Sequence, residues 1–184
     1  MLGEHNDAMI KYIDFIFKKT IDPQTNIIVQ DNAWGDLGDW LGLEDEKNDK
    51  SLFWEAYLIY DLDIMRKTAA LLGKADDEKY FADKRQERIE FFNNTYLEQA
   101  TGKTISSGFG GRRKGQLVDT QTSYVLPVAL GVLDGETYNN CVSNLAETIE
   151  RQGTMDNGSV CAPYALLTGF IGTAWISKAL SDGG

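Results

Sequence analysis

One pattern constrains this chain more than any other. Helical segments that are apolar all round alternate with helical segments that carry a single apolar stripe. The segment from about Ser51 to Leu72 opens with Leu52, Phe53, Trp54, Tyr57, Leu58, Ile59 and Tyr60 and so is apolar nearly all round at its start. It then narrows to a stripe of Leu58, Leu62, Met65, Ala69 and Leu72, with Gly73 as a natural stop. The next helix, Asp76 to about Leu97, is densely charged and carries only Phe81, Ile89, Phe92 and Tyr96 as a stripe, so one face must meet water. From about Asp119 to Leu133 the chain is apolar on every side again, through Tyr124, Val125, Leu126, Val128, Ala129, Leu130 and Val132, which requires burial. Pro127 should kink this helix or begin a new turn. A helix capped by Asp134 returns to one stripe of Tyr138, Cys141, Val142, Leu145 and Ile149. The last, roughly Gly169 to Leu180, is apolar once more, with Phe170, Ile171, Ala174, Trp175 and Ile176. An amphipathic helix from about Glu4 to Lys19, ended by Pro23, precedes them all.

This order suits concentric rings of helices, in which inner helices touch protein on every side and outer ones face solvent. A simple four-helix bundle would give each helix the same one-sided stripe. The expected class is all-α, one helical domain over 1–184, with Thr25–Gln30 and Lys103–Ser107 forming at most short hairpins.

Charge and composition remove several functions. A net charge of −10 argues against nucleic acid. The one basic cluster, Arg112-Arg113-Lys114, reads as a solvated tip of a glycine-rich loop. No apolar run reaches the roughly 18 residues of a membrane span. A single histidine, His5, and two cysteines, Cys141 and Cys161, without a CxxC pair, call for no metal and no cofactor. Both cysteines read as small buried hydrophobes rather than a disulfide. The opening MLGEHNDAMIKY carries acids and lacks the apolar core of a signal peptide, which leaves the location of any parent protein open.

Between the first two helices lies an aperiodic stretch, IDPQTNIIVQDNAWGDLGDWLGLEDEKNDK, that holds two of the four tryptophans. Loops of this length in compact domains are usually functional. Within it, Asp39 and Trp40 are the leading candidates for substrate contact. A carboxylate takes two sugar hydroxyls in charge-assisted hydrogen bonds, and an indole face packs on the apolar side of a pyranose. The structural alternative is that Trp40 anchors the loop into the core and Asp39 caps the next turn. Trp34 and Asp36 share the loop and its reach. Asp36 with Asp39 is a secondary acid–base reading, since neighbours on one loop rarely face each other across a substrate. Asp119 and Gln121 read as an N-cap and a satisfied polar group, and Glu55 and Asp61 as groups facing a polar neighbour or water. Thr168 and Gly169 read as a tight helix-entry turn, and Tyr57, Tyr60 and Tyr124 as core.

Three segments, WGDLGDWL, GQLVDTQTSYVLPVALGVL and LLTGFIGTAWISKALSDGG, together with FWEAYLIYDLDIMRKTAALLGK, resemble successive stretches of the catalytic domain of bacterial α-L-rhamnosidases, glycoside hydrolase family 78. The resemblance covers most of the chain from Trp34 onward. It implies an α/α-toroid of the six-hairpin glycosidase type, of which this chain is about half, with long loops at one end of the inner ring forming a sugar pocket. It further implies hydrolysis of terminal α-linked L-rhamnosides with inversion, by an acid and a base carboxyl about 6.5–9.5 Å apart. In the family the acid lies in an acidic, Arg- and Trp-bearing stretch upstream, which nothing before Trp34 matches. The base Glu lies downstream of the TGF-GT segment, beyond Gly184. The expectation is therefore a segment that hydrolyses no rhamnoside alone. Two other readings compete with it. One is a non-catalytic sugar-binding or assembly module, in which a two-fold homodimer completes the ring. The other is a different α/α-toroid hydrolase acting on glucosides or unsaturated uronides.

Overall fold

Gly73 decides how the two longest helices meet. Helix α2 (Lys50–Leu71) closes at Leu72, and Gly73 takes a left-handed φ of 68°. Its N–H reaches the Ala70 carbonyl while the Lys74 N–H reaches that of Ala69, the bond pair that reverses a chain at a helix end. Helix α3 (Ala75–Tyr96) therefore returns along α2. A second short turn joins α4 (Gln121–Ala129) to α5 (Gly135–Glu150). Helix α1 (Leu2–Phe15), closed by a π-turn over Ile16–Thr20, packs on α2, and α6 (Phe170–Gly183) packs on α4. The computed structural model describes residues 2–30 and 37–183, so Trp34 and Asp36 lie outside the described residues.

The main core joins Leu52, Phe53 and Ile59 of α2 to Phe92 and Tyr96 of α3, Tyr124 to Leu126 of α4, Leu145 of α5 and Ile176 of α6. A satellite cluster of Ile13, Ile28, Leu58, Leu62, Met65 and Phe81 fastens α1 to the α2/α3 pair. Each such side chain contributes about 1.5–3 kcal/mol by leaving water. One ion pair sits between the clusters. The Arg88 guanidinium donates to both Glu55 carboxylate oxygens and also to the Asn26 side-chain and backbone oxygens. Glu55 and Arg88 are fully buried, so the forked geometry and these added acceptors are what make the charges tolerable.

The alternation read from the sequence holds through α5. Every residue of α4 is buried, whereas α3 and α5 each bury one stripe. Cys141 and Cys161 are buried free thiols, and burial pushes the Cys141 thiol up to about 12. Helix α6 departs from the pattern: only Gly172, Ile176 and Ala179 are buried, while Phe170 and Leu180 are exposed. It packs on α4 and α5 and reaches α2 through Trp175, whose indole N–H donates to the Tyr57 hydroxyl and whose ring meets Tyr60 edge-on.

Three smaller expectations also change. Asp134 makes no side-chain cap; its carbonyl accepts the Tyr138 N–H instead. Helix α4 begins at Gln121, two residues later than its apolar run suggests, because Asp119 adopts a left-handed φ of 52° and cannot be helical. The segments around Ile28, Thr104 and Ile105 form single bridges to Ile21, Leu97 and Leu117. The two-stranded pairing lies elsewhere, between β1 (Gly153–Thr154) and β2 (Val160–Cys161). No helix among the described residues is long and apolar enough to cross a membrane.

Candidate functional site

A helix start leaves backbone N–H groups without partners and carries partial positive charge, so it favours a carboxylate. The loop over residues 37–49 supplies one to each of three helices. Asp49 caps α2: its carboxylate accepts from the Ser51 N–H and hydroxyl, and also from the Ser107 N–H at 2.7 Å. Glu44 accepts the Gln121 N–H of α4 at 2.9 Å, while Thr120 and Ser123 complete a reciprocal cap at the same helix start. Asp39 serves α6. Its Oδ2 accepts the Gly169 N–H at 2.6 Å and the Thr122 hydroxyl at 2.5 Å; its Oδ1 accepts the Ile171 and Gly172 N–H groups, each at 2.9 Å. One strip of chain thus gathers the N-terminal ends of α2, α4 and α6 at one end of the molecule.

The same strip presents its aromatic tip to solvent. Residues 39–42 form a β-turn closed by the Gly42 N–H on the Asp39 carbonyl, with Leu41 at a left-handed φ of 64°. Trp40 is thereby carried outward and is 66% exposed. It stacks on Phe170, itself 62% exposed, at a centroid distance of 5.3 Å and an interplanar angle of 10°. The Phe170 N–H also donates to the Trp40 carbonyl at 2.9 Å. Glycine is required beside this stack: a Cβ on Gly169 would stand 2.2 Å from the Asp39 carbonyl oxygen and 2.4 Å from that of Trp40. Leu41, Thr168, Phe170, Thr173 and Ala174 line a shallow open depression next to the pair.

Of the residues singled out from the sequence, Trp40 and Asp39 come together at the start of α6, with opposite exposures. Trp40 is free on one face. Asp39 is only 1% exposed, and its four lone-pair directions are occupied by protein donors, which departs from the expectation of direct sugar contact. It is a cap, on a helix 130 residues away rather than on the next turn. Trp34 and Asp36 fall outside the described residues. Gln121 is the satisfied polar group expected: its amide donates to the Ala165 carbonyl and accepts the Leu167 N–H. Asp119 is not the N-cap; that position is Thr120. Its carboxylate instead accepts from the Tyr124 hydroxyl at 2.6 Å and from Arg151 at 2.8 Å, which holds the left-handed backbone in place. Burial, and then this Asp119 contact, raise the Tyr124 phenol. Sequence reasoning missed Glu44 and Phe170. Glu44 carries no local signal because its helix is far away in the chain, and Phe170 reads as core in a helix that is apolar throughout. No group of three or more His, Cys, Asp or Glu residues converges as a metal site among the described residues.

The whole chain, residues 1–184, matches the model of the bacterial alpha-L-rhamnosidase six-hairpin glycosidase domain. The chain belongs to this family. An alpha-L-rhamnosidase from Formosa agariphila is 27% identical over 134 residues, which is 73% of this chain and 12% of that relative. The alpha-L-rhamnosidase structure from Dictyoglumus thermophilum superposes on the whole chain with a TM-score of 0.74 and 25% identity, and the chain spans 18% of it. The Streptomyces avermitilis alpha-L-rhamnosidase, solved with L-rhamnose, matches all of this chain with a TM-score of 0.73 at 21% identity, over 15% of its own length. The chain thus spans less than a fifth of each of these relatives. Its fold is that of the rhamnosidase six-hairpin domain, and the loop described above gathers the N-terminal ends of α2, α4 and α6.

Proposed function

We propose that this chain is a segment of an α-L-rhamnosidase catalytic domain and that it contributes a sugar-stacking platform, Trp40 with Phe170. The exposed parallel stack at the loop end of the inner helices carries the reading. An aromatic pair held open to solvent has lost the burial that normally justifies it, and a flat apolar face of this size suits the apolar side of a pyranose. The ligand, a terminal α-linked L-rhamnosyl unit, follows from the family. Asp39 is a positioning residue in this proposal. It welds the Trp40 turn to α6 and has no lone pair to spare for proton transfer. Inverting hydrolysis in the whole protein then requires an acid and a base other than Asp39, about 6.5–9.5 Å apart across the bound sugar.

The test is calorimetric titration of the chain and its variants with L-rhamnose, with the Trp40 indole N–H resonance followed wherever Trp40 is kept. Phe170→Ala and Trp40→Ala are expected to weaken binding about tenfold each. Affinity unchanged in both variants, or no response of Trp40 to rhamnose, would remove the platform.

A further inference from the structure

A second cavity, of about 250 Å³, opens between the start of α4, the end of α5 and the turn that enters β1. Its charged lining is Glu44, Lys47, Asp119 and Arg151, over apolar patches from Val118 and Leu167. Two acids against two bases leave no net charge, so neither an anion nor a cation is favoured over a neutral ligand.

Asp119 and Arg151 are committed to each other. Arg151 donates to the Asp119 carboxylate at 2.8 Å and to its carbonyl at 2.7 Å. Glu44 and Lys47 are only partly used. Glu44 is 7% exposed, and its Oε1 takes the Gln121 N–H. Its Oε2 stands 3.8 Å from Lys47 Nζ, beyond hydrogen-bond length, and accepts no hydrogen bond among the described residues. Lys47 Nζ donates one proton to the Thr154 carbonyl and keeps two. An acceptor and a donor thus stand side by side on the cavity wall with a gap between them. A hydroxyl both donates and accepts, so it fits that gap, and neighbouring hydroxyls on a ring fit the wall as a whole. Burial also raises the Glu44 carboxyl above the ordinary range, as expected for a carboxylate short of partners. A hard cation would find a single free carboxylate oxygen beside an ammonium, which is not a cation site. The volume lies below the roughly 300–1,000 Å³ of drug-sized pockets, a size for one small unit.

We infer that Glu44 and Lys47 form a second carbohydrate subsite, which takes one neutral sugar unit through its hydroxyls. The inference rests on the carbohydrate reading above, but it uses different residues from the Trp40–Phe170 platform. The two places are joined by a short strip of chain: Leu167 lines the cavity, Phe170 forms the platform, and the Leu43 N–H is bonded to the Leu167 carbonyl at 2.9 Å.

The experiment uses the chain labelled with nitrogen-15, titrated separately with L-rhamnose, D-glucose, D-glucuronate and inorganic phosphate. Gln121, Gly153 and Thr154 amides report the cavity, and the Trp40 indole N–H reports the platform. Neutral sugars are expected to shift the cavity amides, and the two anions are not. Glu44→Gln keeps an oxygen for the Gln121 N–H while removing the charge, and it should weaken the cavity response about tenfold. Lys47→Met should do the same, and Trp40→Ala should leave the cavity response intact. Cavity amides silent to both neutral sugars would overturn the subsite, as would tighter binding of glucuronate or phosphate, or a response that survives both cavity variants. A silent Trp40 with a responsive cavity would instead defeat the platform and leave the subsite standing.

Discussion

The Asp39 carboxylate accepts the Gly172 N–H at 2.9 Å across 133 residues of sequence. A Cβ placed on Gly172 would stand 2.3 Å from the Thr122 hydroxyl, the same hydroxyl that donates to Asp39. The cap of α6 and the close approach of α6 to α4 are therefore one arrangement. Asp39→Ala strips four donors of their acceptor and is expected to cost about 2–4 kcal/mol in urea unfolding. Asp39→Asn should recover only part of this, because its NH₂ group faces donors. A loss below about 0.5 kcal/mol in the alanine variant would mean that water replaces the carboxylate without penalty.

Two glycines separate steric need from conformational need. Gly169→Ala drives a methyl group into loop backbone and is expected to cost about 1–3 kcal/mol. It should also lift Trp40 off Phe170, with loss of their near-ultraviolet circular dichroism. Gly73→Ala meets nothing within 4 Å but keeps a φ of 68°, so its cost should be about 1–2 kcal/mol with the Trp40 signal unchanged.

The buried Glu55–Arg88 pair gives a third prediction. Arg88→Met leaves the Glu55 carboxylate buried and alone, and it should destabilise the chain by about 3–5 kcal/mol in denaturant unfolding. Adding Glu55→Leu should restore much of that loss, because two apolar side chains need no partner. An unrestored double variant would assign the cost to the Asn26 contacts instead.

Asp61 sets a pH dependence whose sign follows from its surroundings. Burial raises its carboxyl above the ordinary aspartate value of 3.8. The folded chain therefore holds the proton more tightly than the unfolded one in that window. The stability Asp61 contributes is complete below pH 3.8 and is lost as pH rises through the raised value. Asp61→Asn should flatten that part of the stability profile and leave the chain more stable at neutral pH. Thermal unfolding at a series of pH values measures both, and a parallel profile in the variant would show that Asp61 is not the group responsible.

With the Asp39 lone pairs all occupied, the 184-residue chain is expected to release no aglycone from an aryl α-L-rhamnoside. Turnover by the purified chain that Asp39→Asn abolishes would return Asp39 to the chemistry.

Much of the fold was legible because helix periodicity is local information. Phe53 to Ile59, Glu55 apart, and Tyr124 to Val128 have no polar side to show to water, so α2 and α4 had to be covered wherever their neighbours came from. Gly73 and the charged face of α3 were equally direct. Composition misled at α6, which is as apolar as α4 but is largely exposed, since burial depends on what stands beside a helix. The Trp40–Asp39 pair was found by its place in a long loop, yet the two residues divided their roles in a way that no local rule contained.

By itself the sequence determined which segments are helices, which of them require cover, and that every helix start needs an acceptor. It also placed three carboxylates, Asp39, Glu44 and Asp49, on one short strip. Tertiary structure alone decided that Asp49 serves the helix beside it, Glu44 one 77 residues away, and Asp39 one 130 residues away. The N–H groups of all helix starts are chemically alike, so their need for a carboxylate is written in the chain, but which carboxylate answers depends on which ends the packed core brings together.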